Sequence, residues 1–147
     1  VAAKAPIIIS FSASTCYGWC PDFTVTVTKN GSVTYEGRAY TALMGVHQLP
    51  RDDALFSELS AIVTSDSLPW PAGDVMYSSP LCQMMMSDLP EYRLSVEGET
   101  GTRGFAYYAG CSGPHANRAR EIVDRVMTTL RAHNIPTEGV RPEAPMR

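Results

Sequence analysis

Residues 23–36 constrain this chain more tightly than any other stretch. Phe23-Thr24-Val25-Thr26-Val27-Thr28 alternates apolar and hydroxyl side chains, Lys29-Asn30-Gly31-Ser32 interrupts it, and Val33-Thr34-Tyr35-Glu36 alternates again. A period of two sends successive side chains to opposite faces of a strand, and Asn-Gly tolerates the positive φ angles of a type I′ turn. The stretch therefore predicts a β-hairpin with Phe23, Val25, Val27, Val33 and Tyr35 facing a core. Its other face is polar, so it needs a covering layer on one side only. That points to an antiparallel sheet, because a parallel sheet buried on both faces would show continuous apolar runs. The Asn30-Gly31-Ser32 sequon is accounted for by the turn.

The remaining elements follow from the same logic. Pro6–Ser12 is β-branched and aromatic and reads as a strand. Arg51–Ser65 carries Leu55, Leu59 and Ile62 at helical spacing, widened by Phe56 and Val63, with Asp52 or Asp53 as its N-cap. Tyr92–Glu97 and Arg103–Tyr108 read as a second hairpin joined by the Gly98–Gly101 turn. Pro114–Ala132 is an amphipathic helix with Ala119, Ile122, Val123, Val126, Met127 and Leu130 on its apolar stripe. Ser112 is its expected cap, Pro114 suits its first turn, and Asn134 and Pro136 end it. His133 sits where the helix dipole favours a cation. Ser67–Pro90, with Pro69, Pro71, Gly73, Pro80 and Pro90, is irregular, and loops this long are often cross-linked or functional. The predicted class is α+β: a mostly antiparallel sheet, made of two hairpins and an N-terminal strand, with two helices packed on one face. Residues 1–136 form the domain and 137–147 are expected to be a flexible tail.

Composition narrows the function. A chain of 147 residues with 44 % hydrophobic and 18 % charged residues is a single globular domain rather than a disordered segment. A net charge of -3 disfavours nucleic acid as a partner, since phosphate binding needs a basic excess. No apolar run approaches the ~18 residues a membrane span requires. The start Val1-Ala2-Ala3-Lys4 reads like a processed chain from which a signal peptide was removed, and four cysteines fit export to a disulfide-forming compartment. Cys16 and Cys20 have three residues between them and precede a strand. They lack the helix N-terminus that activates a redox thiol, and a bridge closing so short a loop contributes about 2 kcal/mol. The cysteine order also permits crossed pairings such as Cys16 to Cys111.

The run Cys16-Tyr17-Gly18-Trp19-Cys20-Pro21, the alternating strand from Phe23 and the exit Tyr35-Glu36-Gly37 resemble a bacterial family of exported domains of unknown function, numbered 6438. The likeness covers roughly residues 7–133. It implies an exported α+β domain, periplasmic or secreted, and brings no catalytic residues with it. Relative to that family pattern Cys82 and Cys111 are both additions, as is the Pro- and Met-rich segment 68–86. The joint appearance of these two cysteines is what a bridge between them requires. Closing about thirty residues would contribute roughly 3.5 kcal/mol.

No chemical motif competes with this. Cys82-Gln83-Met84-Met85-Met86, with His47 or His115, offers soft donors suited to Cu(I), yet consecutive residues of a strand cannot all face one ion. The cysteines lack zinc-type paired spacing. Ser112 and His115 with Asp88 or Asp124 have no nucleophile elbow to order them, and no carboxylate pair is placed across a cleft. The chain reads as non-catalytic, without cofactor or metal. Trp19, Trp70, Tyr77, Met84, Met85, Met86, Tyr107 and Tyr108 lie on loops or a strand end and are the candidate partner-binding residues, since aromatic and Met side chains are enriched in contact surfaces. Of the adjacent Tyr107 and Tyr108 at least one is expected to face outward, and the alternative reading is that the aromatics cover the edge of the domain's own core. The expected partner is another envelope or secreted protein, or a larger assembly of which this chain is a subunit. The competing expectation is a thiol–disulfide or copper-handling protein using Cys16, Cys20 and Met84–Met86.

Overall fold

The computed structural model describes residues 5–142. Six strands, β1 (Pro6–Ala13), β2 (Asp22–Thr28), β3 (Val33–Ala39), β4 (Gly45–Leu49), β5 (Glu91–Gly98) and β6 (Gly101–Tyr108), form one antiparallel sheet of order β4-β3-β2-β1-β5-β6. Helices α1 (Asp53–Val63) and α2 (Pro114–Ala132) touch each other and cover one face, α1 over β1 and β2 and α2 against β6. The fold is α+β, with the N-terminal strand seated between the two hairpins.

Register makes the sheet two-sided. Phe105, Leu94, Phe11, Val25 and Tyr35 stand side by side across five strands, and all are buried. They pack with Leu55, Leu59, Ile122, Val126 and Leu130 of the helices. One residue along each strand, Gln48, Thr34, Thr26, Ser10 and Ser95 form the matching row on the uncovered face. There Thr34 donates to Gln48 at 2.9 Å, and the Ser10 and Thr26 hydroxyls lie 3.3 Å apart. The apolar/hydroxyl alternation is thus a direct readout of which face carries helices.

Several expectations need correction. Strand β4 was not foreseen; it is an exposed five-residue edge strand in which only His47 and Leu49 are even half-buried, so burial left little pattern to detect. In the first hairpin only Gly31 has positive φ (88°), whereas a type I′ turn needs two such residues. Instead Gly31 N–H donates to Thr28 C=O (2.8 Å), and Asn30 Oδ1 accepts from Ser32 N–H (3.0 Å). A Cβ at Gly31 would come within 2.3 Å of Asp53 Oδ1, because the turn docks on the start of α1. There Gly31 C=O accepts from Asp52 N–H (2.9 Å), and Asp52 caps α1 by accepting from Leu55 N–H. Ser112 does not cap α2: the N-cap is Gly113, without a side-chain bond, and Ser112 N–H donates to Met84 C=O. Nor does the chain leave the domain as a tail at residue 137. Thr137 is buried and accepts from Arg131 Nε (2.9 Å), and Val140 N–H donates to Tyr40 C=O (2.8 Å). Residues 143–147 lie outside the described part.

Two long-range contacts fasten the end of α2. Buried Tyr35 donates its hydroxyl to Pro136 C=O (2.9 Å) and bonds the buried Thr41 hydroxyl (2.6 Å). Tyr35→Phe should lower the unfolding free energy by about 1–3 kcal/mol, read from the urea midpoint, because it leaves buried groups without partners. His133, the C-cap of α2, meets the start of α1: Nδ1 lies 2.7 Å from Asp52 and Nε2 lies 2.6 Å from Glu58. Burial pushes the His133 pKa down, but hydrogen bonds and charge from both carboxylates outweigh it and raise it above 6.5. Burial likewise pushes Asp52 up, and the bonds from Leu55 N–H and His133 outweigh it, holding the carboxyl below 3.8. For the raised histidine, stability is fully present below pH 6.5 and is lost as pH rises through the higher folded value. For the lowered aspartate, it is present above pH 3.8 and lost as pH falls through the lower folded value. Melting temperature should therefore decline on the alkaline side of this window, and His133→Gln should flatten that limb in a pH series.

Candidate contact surface

Two disulfides shape one side of the molecule. Cys16–Cys20 closes the loop between β1 and β2, with Cα atoms 5.5 Å apart. Closing this loop turns its side chains outward: Tyr17 is 87 % exposed and Trp19 is 49 % exposed. Trp19 meets Tyr40 edge-on at 5.4 Å between centroids. Tyr17 N–H donates to Asp88 C=O (3.2 Å). Tyr40 (φ 53°) and Asp88 (φ 69°) are both non-glycine residues in the left-handed region, so two sparsely populated conformations adjoin this one loop. Thr15, Cys16, Tyr17, Gly18, Trp19 and Tyr40 line an open cleft of about 550 Å³.

Cys82–Cys111 ties the irregular segment to the connection between β6 and α2, with Cα atoms 5.0 Å apart. Around it the backbone forms a short ladder: Gln83 N–H to Ser112 C=O, Ser112 N–H to Met84 C=O, and Met86 N–H to Gly110 C=O, at 2.9–3.0 Å. Held by its backbone at the rim, the segment leaves Met84, Met85 and Met86 exposed at 75 %, 52 % and 70 %. Tyr108 is half-buried beneath them; its hydroxyl donates to Met86 C=O (2.7 Å) and accepts from Leu89 N–H (3.3 Å). Exposed Tyr77 packs edge-on against Tyr108 at 6.2 Å. Since Leu89 follows Asp88, the two disulfide regions form one connected rim from Trp19 through Tyr17 to Met86 and Tyr77.

Not every residue expected on this surface is there. Trp70 is 4 % exposed, edge-on to Phe105 at 5.4 Å, with the Arg103 guanidinium 5.1 Å from its ring. Tyr107 is 2 % exposed, stacked on Tyr92, and accepts from Arg120 Nε (3.2 Å). Both are core residues and cannot serve as contact residues in this conformation. The reason is strand geometry: Tyr107 points to the helix face while its neighbour Tyr108 points away, and residues 68–75 fold back over β6. Val75 N–H donates to Ala106 C=O and accepts, through its own carbonyl, from Tyr108 N–H, both at 2.8 Å. Tyr17, Tyr40 and Leu89 join the surface without having been foreseen. Tyr17 shares the cysteine-bounded loop of Trp19 and was legible on that ground; Tyr40 depends on an unusual φ that no local pattern announces.

The soft-metal reading finds its histidines engaged elsewhere. His47 Nε2 lies 2.6 Å from Met44 C=O, and His115 Nδ1 accepts from Ala72 N–H (3.1 Å). All four cysteines are in disulfides, and no group of three or more His, Cys, Asp or Glu among the described residues is placed to hold a metal ion. No helix of the described residues is long and apolar enough to cross a membrane.

The family model for a domain of unknown function, DUF6438, matches residues 7–127, and the chain belongs to that family. No curated protein matches the chain. The matched span contains the positions of all four cysteines and of the Met–Tyr rim and stops before His133 and residues 136–142. Loop length ranks the two bridges. Replacing Cys82 and Cys111 by Ser should cost roughly 3.5 kcal/mol and replacing Cys16 and Cys20 about 2 kcal/mol; denaturant midpoints of the two double variants should fall in that order.

Proposed function

We propose that this member of the DUF6438 family is a non-catalytic binding module, exported to the periplasm or beyond the cell, that docks on another envelope or secreted protein through its Met–Tyr rim. The observation that carries the reading is the outward display of Met84, Met85, Met86 and Tyr77 on a segment fixed by a disulfide and a backbone ladder. A monomer gains nothing from ordering four large apolar side chains in water. The same group offers an adaptable thioether surface with an aromatic anchor to a partner. Two disulfides support an oxidising compartment. A thiol-exchange role is less well supported, because Cys20 leads into β2 rather than into a helix whose N-terminus would stabilise a thiolate.

The test is photo-cross-linking in cells, with the photoreactive residue at position 77 or 85 and a control at Arg125 on the outer side of α2. A discrete adduct is expected from 77 and 85 and not from 125. Met84→Ser with Met86→Ser should remove that adduct while leaving the melting temperature within about 2 °C, since exposed substitutions cost little. Identical adducts at all three positions would sink the proposal.

A further inference from the structure

At the Trp19 end of the rim the chain already holds an extended segment of itself. Gly139 lies so close to Trp19 that a Cβ there would fall 1.7 Å from the Trp19 carbonyl oxygen. Val140 N–H donates to Tyr40 C=O (2.8 Å), and the Arg141 guanidinium stands 5.9 Å from the Trp19 ring centroid. Three kinds of recognition therefore act on three consecutive residues: a backbone contact that admits only glycine, a main-chain hydrogen bond, and a cation over an indole face. These are the terms by which a peptide is bound in trans. Beside them the cleft of about 550 Å³, lined by Thr15–Trp19 and Tyr40, stays open and has the size of a ligand site.

We propose that the Trp19–Tyr40 wall, at the edge of this open cleft, is a site for an extended peptide with glycine, an aliphatic residue and arginine in succession. Residues 139–141 are its occupant in cis, and a partner's segment of the same chemistry takes their place. This rests on the reading of the rim as a contact surface and names what one end of it recognises. The strap can leave cheaply. Among the described residues its polar tie to the Trp19–Tyr40 wall is the bond from Val140, whereas Pro136, Thr137 and Glu138, just before it, are anchored independently through Tyr35 and Arg131. A strap that occupies the wall nine-tenths of the time lowers the apparent affinity of a competitor roughly tenfold.

The probe is a synthetic peptide with the sequence of residues 136–142, titrated against the full chain and followed by fluorescence anisotropy. In the full chain carrying Gly139→Val, which drives the strap off the Trp19 carbonyl, the peptide should bind roughly tenfold more tightly than to the unaltered chain. Val140→Pro, which removes the N–H bond to Tyr40 and restricts the backbone at 139 and 140 without adding a side chain against the Trp19 carbonyl, should do the same and serves if the first variant does not fold. Adding Trp19→Ala to either should abolish binding, with fluorescence from buried Trp70 reporting that the fold is intact. Equal affinity for altered and unaltered chains, binding that survives Trp19→Ala, or no binding to any variant would each overturn the proposal. Failure of the otherwise unaltered chain to form an adduct from positions 77 and 85 would instead strike the docking reading, since neither residue touches the strap.

Discussion

Everything in this molecule hangs on the pairing of β1 with both of its neighbours. Residues 8–13 register against β2 on one side and β5 on the other, so a single strand joins two hairpins that are far apart in sequence. Each hairpin alone would expose one apolar face and two edges, and an isolated hairpin is marginal in water. With β1 between them, Phe11 becomes the middle of a buried row and stacks with Tyr92 on one side and tilts against Phe23 on the other. Only then does the sheet present an area wide enough for both helices. The register also fixes the opposite face, since a slip of one residue would turn every threonine of β2 toward the core.

The two sheet edges are treated differently, and the position of the exposed Met–Tyr rim follows from that. On the β4 side the edge strand is only five residues long, which limits what can pair with it. On the β6 side the irregular segment lies along the strand, with Val75 pairing in parallel to Tyr107 and Asp74 accepting from Ala106 N–H (2.9 Å). This covers the edge, and the segment then turns back at the rim to enter β5 at Glu91, opposite Tyr108. Cys82–Cys111 fixes that return, and Met84, Met85 and Met86 stay exposed on it. The Met84–Met86 display thus lies beside Tyr108 and, through Asp88 and Tyr17, continues to the Cys16–Cys20 loop.

Much of the fold is legible because it rests on local periodicity. The first hairpin, both helices, the β5–β6 hairpin and the α+β class follow from spacing alone; α2 has the boundaries its stripe and its Pro114 indicate, ended by Asn134 in the left-handed region (φ 63°). The candidate site is less legible. Tyr77 and the three methionines stand out as loop residues, but Trp70 and Tyr107 carry the same local signature and are core. An aromatic residue in a proline-rich stretch is exposed or buried according to where that stretch packs, and no window of neighbouring residues holds that information. The His133–Asp52–Glu58 cluster is the same case: three common surface residue types become a brace between helices only because α2 ends beside the start of α1.

The sequence by itself determined the elements, the face each turns inward, the family and the presence of enough cysteines for two bridges. These depend on interactions between residues a few positions apart, which periodicity records. Tertiary structure alone decided the order of strands, the short β4, the covering of β6, the burial of Trp70 and Tyr107 and the return of residues 137–142 onto Tyr40 and Trp19. Each of these pairs residues separated by tens of positions, and such a contact is stabilised by burying apolar surface and completing backbone hydrogen bonds that the rest of the fold has left open.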